Sequence, residues 1–176
     1  LPFIAYIKFI SGDKKIFLKD IQIKTFFKII IATIVLLSIY LLITNSGNFS
    51  LRSIFFNTIS ILTGTGYVSA EFDGWGSFPL TLFLALMFIG GCAGSTTCGI
   101  KIFRIQILYL FIVNQLKKII YPKGIFVIKY DKNTVDDKFM ASIISFIFLY
   151  LVIFFLITAF LSISGLDFIT SISGAA

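Results

Sequence analysis

The stretch SILTGTGYVSAEFDGWG, Ser60–Gly76, decides how this chain must fold. It interrupts two apolar regions with alternating Thr and Gly and a short acidic patch, and the sequence turns apolar again from Ser77. The surrounding composition restricts the environment: 58% of the 176 residues are hydrophobic, 13% are charged and the mean hydropathy is +1.02. No ordinary soluble domain carries that balance, so the chain belongs in a membrane. With 22 Phe, 7 Tyr and 3 Pro it reads as helical spans in lipid, because a barrel shows short alternating segments instead. The net charge of +7 does not point to nucleic acid. The basic residues sit at the ends of apolar runs, which is a topogenic pattern.

Upstream, Thr25–Ile43 supplies about 19 residues, enough to cross a hydrocarbon core ~30 Å thick. TNSGN (Thr44–Asn48) reads as a turn. Phe49–Leu62 is too short to span, with Ser50 placed as an N-cap. Downstream, Ser77 to about Val113 is almost unbroken apolar sequence, which as one helix would run roughly 55 Å. GGCAGSTTCG (Gly90–Gly99) breaks it, with four Gly in ten positions. Each Gly costs a helix about 1 kcal/mol relative to Ala. A helix from Ser77 to Ile89 descends about 20 Å, placing the break in the inner half of the bilayer, beneath the Thr/Gly stretch. Lys117–Lys138 is a basic, β-leaning linker, Phe139 to about Leu161 another span, SISGLD (Ser162–Asp167) a turn, and FITSISGAA a further short helix. The chain begins and ends inside apolar, helix-like sequence and is expected to be a piece of a longer protein. Leu1–Ile10 has neither the basic n-region nor the cleavage site of a signal peptide. Cys92 and Cys98 are expected as free thiols. Without His or C-x-x-C, no zinc site is expected.

Charge sets the orientation. Six of the fifteen Lys/Arg lie in Lys8–Lys28 and eight in Lys101–Lys138, leaving Arg52 alone between them. By the positive-inside rule residues 11–24 and 117–138 are cytoplasmic, so an even number of crossings separates Lys28 from Lys101. Thr25–Ile43 and Ser77–Val113 supply two. Phe49–Gly76 must then enter and leave on the outer face, as a re-entrant segment. A partial repeat agrees: FFNTIS (Phe55–Ser60) and FITSIS (Phe168–Ser173) follow equivalent spans, turns and helix starts. The expected fold is all-α, built from units of span, re-entrant pore loop and span.

Irregular backbone at membrane depth is tolerated only beside protein or a water-filled cavity. In Thr63-Gly64-Thr65-Gly66-Tyr67, glycines allow consecutive carbonyls to point one way. Rings of such carbonyls replace the hydration shell of K⁺ in filters of the T-V-G-Y-G type. A re-entrant helix ending near Leu62 would aim its partially negative C-terminus at the same point, favouring a cation. Glu71 and Asp73 at the outer mouth would concentrate cations further. Asp73-Gly74-Trp75-Gly76 reads as an interfacial turn with a Trp anchor.

FIGGCAGSTTCGIKIFR (Phe88–Arg104) closely resembles the F-I-G-G-C-A-G-S-T-G-G-G-I-K segment of Trk-type bacterial potassium-uptake proteins, the TrkH/KtrB superfamily. ILTGTGYVSAEF (Ile61–Phe72) resembles that family's third filter, usually written L-T-T-T-G-F, and SGLDFITSIS the start of its fourth pore helix. Cys92 and Ala93, where Ktr-type proteins commonly have Ala-Pro, lean towards the Trk branch. The resemblance implies span–pore-loop–span repeats concatenated four to a chain. Residues 1–24 would end one repeat and lead into the next. Residues 25–116 would form the third repeat, 117–138 a cytoplasmic linker, and 139–176 the start of the fourth. Leu62, Thr63, Gly64, Thr65, Gly66 and Tyr67 would contribute to the filter, with Gly66 its glycine. Gly90, Gly91, Cys92, Ala93, Gly94, Ser95, Thr96, Thr97, Cys98 and Gly99, followed by Lys101, would form an intramembrane gating loop. The family also implies a homodimer in the lipid of the bacterial inner membrane and a cytoplasmic nucleotide-binding regulatory subunit. K⁺ would be the transported ion, with no cofactor in this chain. Thr97 and Cys98 depart from the pattern by replacing two of three consecutive glycines, and Gly64 by replacing a Thr.

Lys101 and Arg104 have two readings. They snorkel to the inner interface, or Lys101 limits cation exit or pairs with the loop. For the chain as a whole the expected function is passive K⁺ uptake without covalent chemistry. The alternatives are a Na⁺-coupled or weakly selective cation permease of the same superfamily and, more remotely, a membrane thiol-redox protein or intramembrane enzyme using Cys92 and Cys98.

Overall fold

The computed structural model describes residues 1–12, 17, 20–44, 50–121, 124, 126–131 and 133–176, with the backbone alone at Asp73. The turn expected at TNSGN lies outside the described residues after Thr44, as do Lys14, Lys15 and Lys19 of the basic segment and parts of the 117–138 linker. The chain forms two compact units, Leu1–Ile102 and Phe103–Ala176.

The first unit holds α1 (Phe3–Ile10), α2 (Ile21–Ile43), α3 (Leu51–Thr63), a 3-10 turn (Asp73–Trp75) and α4 (Ser77–Met87), and ends in the glycine-rich loop. Helix α2 starts four residues before the expected Thr25. The Asp20 carboxylate accepts from the backbone N–H groups of Gln22 at 2.8 Å and Ile23 at 3.3 Å, so the first turn is capped despite its polar composition. Its buried stripe, Ile23, Phe26, Ile30, Ile34, Leu37 and Leu41, follows helical spacing. The remaining faces expose Phe27, Ile31, Val35 and Leu42, the outward apolar surface expected of a helix against lipid.

Ser50 caps α3 as expected, accepting from the Ser53 N–H at 3.1 Å. The helix is 13 residues long, about 20 Å, and packs against both α2 and α4. This is the short re-entrant helix. Helix α4 stops at Met87, two residues earlier than expected, because Ile89 leaves the helix to form a parallel bridge with Ile100. Trp75 differs from its expected role as an interfacial anchor. It is only 7% exposed and, with Phe72, packs against the buried Phe83, holding the 3-10 turn onto α4.

The second unit holds α5 (Ile102–Ile120), strands β1 (Lys129–Tyr130) and β2 (Asn133–Thr134), α6 (Asp137–Ile163) and α7 (Phe168–Ala175). The strands pair antiparallel, Lys129 opposite Thr134, so the β-leaning linker contains a very small hairpin. The hairpin is pinned by the Tyr130 hydroxyl, which donates to Gln106 Oε1 at 2.6 Å, and by Ile128 and Val135 against Ile107, Met140 and Ile143. Helix α6 packs on α7 after the turn at Gly165. Helices α2 and α6 are each long and apolar enough to cross a membrane, whereas α3 and α4 are shorter apolar helices.

Replacing Phe83 with Ala should cost about 3 kcal/mol through the cavity left between Phe72 and Trp75. Thermal unfolding of the full-length protein in detergent reports this. The same change at Phe78, 41% exposed, should shift Tm far less.

Candidate functional site

The Thr/Gly stretch begins as a helix end. Gly64 sits at φ +67°, ψ +25°, the left-handed conformation that ends α3. Its N–H donates to the Ile61 carbonyl at 3.1 Å, and the Thr65 N–H to the Ser60 carbonyl at 2.9 Å. Those two bonds form a Schellman cap, and the positive φ explains why glycine stands there. The Thr63 hydroxyl donates to the Ile59 carbonyl at 2.7 Å. Its only proton is thereby used, so the 2.7 Å contact between the Thr63 and Thr65 hydroxyls has Thr65 as donor. The carbonyls of Leu62, Thr63, Gly64, Thr65 and Gly66 accept no hydrogen bond from any described residue. Gly64 to Tyr67 are exposed, whereas the Leu62 side chain lies in the core.

One residue overlooked in the sequence holds the outgoing limb. The Asn57 side chain, 1% exposed, donates to the Ala70 carbonyl at 3.0 Å. Its oxygen accepts from the Ser69 N–H at 3.0 Å and the Ser69 hydroxyl at 3.2 Å. The available signal is a lone amide in a helix that is apolar or hydroxylic everywhere after Arg52. Glu71, at the expected outer mouth, is exposed.

The glycine-rich loop is closed at its neck. The Gly90 N–H donates to the Ile100 carbonyl at 2.8 Å, the Ile100 N–H to the Phe88 carbonyl at 2.9 Å, and the Ile102 N–H to the Gly91 carbonyl at 3.2 Å. Inside, the Gly91 N–H donates to Thr97 Oγ1 at 2.8 Å, and the Ser95 hydroxyl donates to the Cys92 carbonyl at 2.6 Å. Glycine is required where the returning strand passes. A Cβ on Gly90 would collide with the Cys98 carbonyl, and one on Gly91 would lie 2.5 Å from Thr97 Oγ1.

Lys101 pairs with the loop. Its ammonium turns into the loop, donating to the carbonyls of Ser95 at 3.0 Å and of Thr97, with Thr97 Oγ1 at 3.2 Å. The Arg104 guanidinium lies 3.8 Å from the centre of the Phe146 ring, a cation–π contact within the second unit. Cys92 is fully buried, Cys98 is exposed, and both are free thiols. Loop and Thr/Gly turn meet: a Cβ on Gly64 would lie 4.0 Å from the backbone nitrogen of Cys98. Thr96 is exposed and Gly99 packs at the loop neck.

Residues 6–174 match the family model described as TrkH, cation transport protein. The chain belongs to the TrkH family of cation transport proteins. It is a membrane-protein family, in keeping with the two long apolar helices. The chain is 36% identical over 177 residues to the Trk system potassium uptake protein TrkI of Halomonas elongata, covering all of this chain and 36% of that protein. It is 26% identical over 156 residues to the Trk system potassium uptake protein TrkH of Escherichia coli K12, covering 87% and 32% respectively. The crystal structure of the potassium transporter TrkH from Vibrio parahaemolyticus superposes with a TM-score of 0.90 at 28% identity, over 98% of this chain and 38% of that one. The chain therefore spans about a third of the length of these TrkH-family relatives.

Asn57→Leu should leave the Ser69 N–H and the Ala70 carbonyl without their partner, at a cost of about 2 kcal/mol. A Tm of the full-length protein in detergent lowered accordingly is the expected result, and a wild-type Tm would show that Asn57 does not brace this limb.

Proposed function

We propose that this chain forms one of several filter segments of a potassium-uptake protein in the bacterial inner membrane, together with the loop that gates it. The observation that carries the reading is the row of carbonyls from Leu62 to Gly66, to which no described residue donates, at the C-terminal end of α3 and on the exposed turn that follows it. Carbonyls in that state suit a dehydrated monovalent cation, and the helix end adds negative potential. K⁺ is the ion named for the relatives that the chain resembles.

The Gly90–Gly99 loop acts as the gate. It lies against the filter at Gly64, and its small residues can be displaced without leaving bulky side chains in the path. The Lys101 ammonium stabilises the closed form by filling the loop's oxygen cluster. In the complete protein residues 25–116 are the third repeat and 139–176 the start of the fourth, with 11–24 and 117–138 cytoplasmic. The complete protein works as a homodimer under a nucleotide-binding regulatory subunit, and moves ions without covalent chemistry.

A weakly selective cation permease is the second reading. It is favoured by Gly64, which leaves one filter position without a side chain.

Two measurements on the full-length protein test the proposal. Gly66 has φ +79°, so Gly66→Ser strains the backbone by about 1 kcal/mol and should relax K⁺/Na⁺ discrimination. Unchanged selectivity sinks the filter assignment, and poor discrimination already in the wild type selects the permease reading. Deleting part of Gly90–Gly99 should raise basal flux. Equal or lower flux from a folded variant argues against a gate.

A further inference from the structure

We infer that Gln22 is a positioning residue that latches the glycine-rich loop to the start of α2, an inference that rests on reading the loop as a gate. Apart from the bonds to the adjoining Ile100, Lys101 and Ile102, two hydrogen bonds among the described residues tie Gly90–Gly99 to other parts of the chain. The Ala93 N–H donates to Gln22 Oε1 at 2.9 Å, and the Gly94 carbonyl accepts from the Phe3 N–H at 3.1 Å. Both hold the same tip of the loop, beside the fully buried Cys92.

The Gln22 contact is built from below. Asp20 caps the first turn of α2 by accepting from the Gln22 and Ile23 N–H groups, which fixes the backbone that carries the Gln22 side chain. The amide oxygen then reaches 71 positions along the sequence to a backbone N–H of the irregular loop. Gln22 therefore stabilises the loop only where the loop lies closed, and a displacement of the first turn of α2 is transmitted to the loop tip. Contacts that distinguish two states are what bias an equilibrium between them. The other loop bonds, from Lys101, Thr97 and Ser95, are internal and can travel with the loop as it moves.

The test uses the full-length protein in proteoliposomes, with Gln22→Met, which keeps length but removes the acceptor, and Gln22→Glu, which restores it. Gln22→Ala serves as a second acceptor-free variant should Met impair insertion. Losing one hydrogen bond specific to the closed state should raise basal K⁺ flux roughly fivefold, with the K⁺/Na⁺ ratio unchanged. In a Cys98→Ser background, maleimide labelling of Cys92 should accelerate in the acceptor-free variants and stay slow with Glu. Wild-type labelling of Cys92 in those variants, or a Glu variant as leaky as Met, overturns the latch. The loop-shortened protein serves as reference. If it leaks and Gln22→Met does not, the latch fails and the gate stands. If neither leaks, the gate reading fails, and the Cys92 labelling still decides whether Gln22 holds the loop.

Discussion

A peptide group at membrane depth must be paired, packed against protein or turned to water, because lipid offers it no partner. The two glycine-rich segments meet that constraint to different degrees. The loop bonds much of its backbone: its neck is bridged from Phe88 to Ile102, Thr97 and Ser95 serve its interior, Gln22 and Phe3 hold its tip, and Lys101 donates to the Ser95 and Thr97 carbonyls. The Thr/Gly turn caps the Ser60 and Ile61 carbonyls, and among the described residues nothing donates to those of the next five. Carbonyls in that state are stable where water or a cation supplies what the protein does not.

The elements around these segments keep that difference in place. Asn57 ties the outgoing limb to α3, so the open carbonyls lie between two fixed points, the Schellman cap and the Ser69–Ala70 brace. Trp75 and Phe72 then fasten the returning chain to α4. Supports on both sides hold the open carbonyls where they stand, which the proposed ion-binding role would use. The loop, by contrast, leans on α1 and α2 through two hydrogen bonds and on its own ammonium, contacts that can break singly.

Local chemistry made much of this readable from the sequence. The Ser50 cap, the end of α3 at Gly64 and the break after α4 all follow from residues within a few positions of the event. Helix α2 starts earlier than the composition suggests, because the basic residues before Thr25 mask a single capping carboxylate at Asp20. Trp75 looked like an interfacial anchor because nothing nearby in sequence reveals that Phe83 lies under it. Asn57 and Gln22 are invisible as site residues for the same reason: their partners are 12 to 71 positions away and, the Ser69 hydroxyl aside, are backbone atoms, which leave no mark in residue identity. Lys101 was legible as a residue of interest. Its direction into the loop depended on the fold of Ser95–Thr97.

Gly64 illustrates how a departure from a family pattern can be structural before it is functional. The Thr that Trk-type filters carry at this position would meet one obstacle here, a φ of +67° that β-branched residues resist, whereas the Cys98 backbone nitrogen 4.0 Å from its Cβ would be an ordinary contact. Glycine removes the strain and completes the helix cap. The ligands proposed for the ion are carbonyls, and a glycine presents its carbonyl as well as any other residue. The lost side chain therefore bears on wall stiffness rather than on ligand number. Any reduction in selectivity from Gly64 should then be smaller than one caused by freeing the brace at Asn57, which acts on where the carbonyls stand.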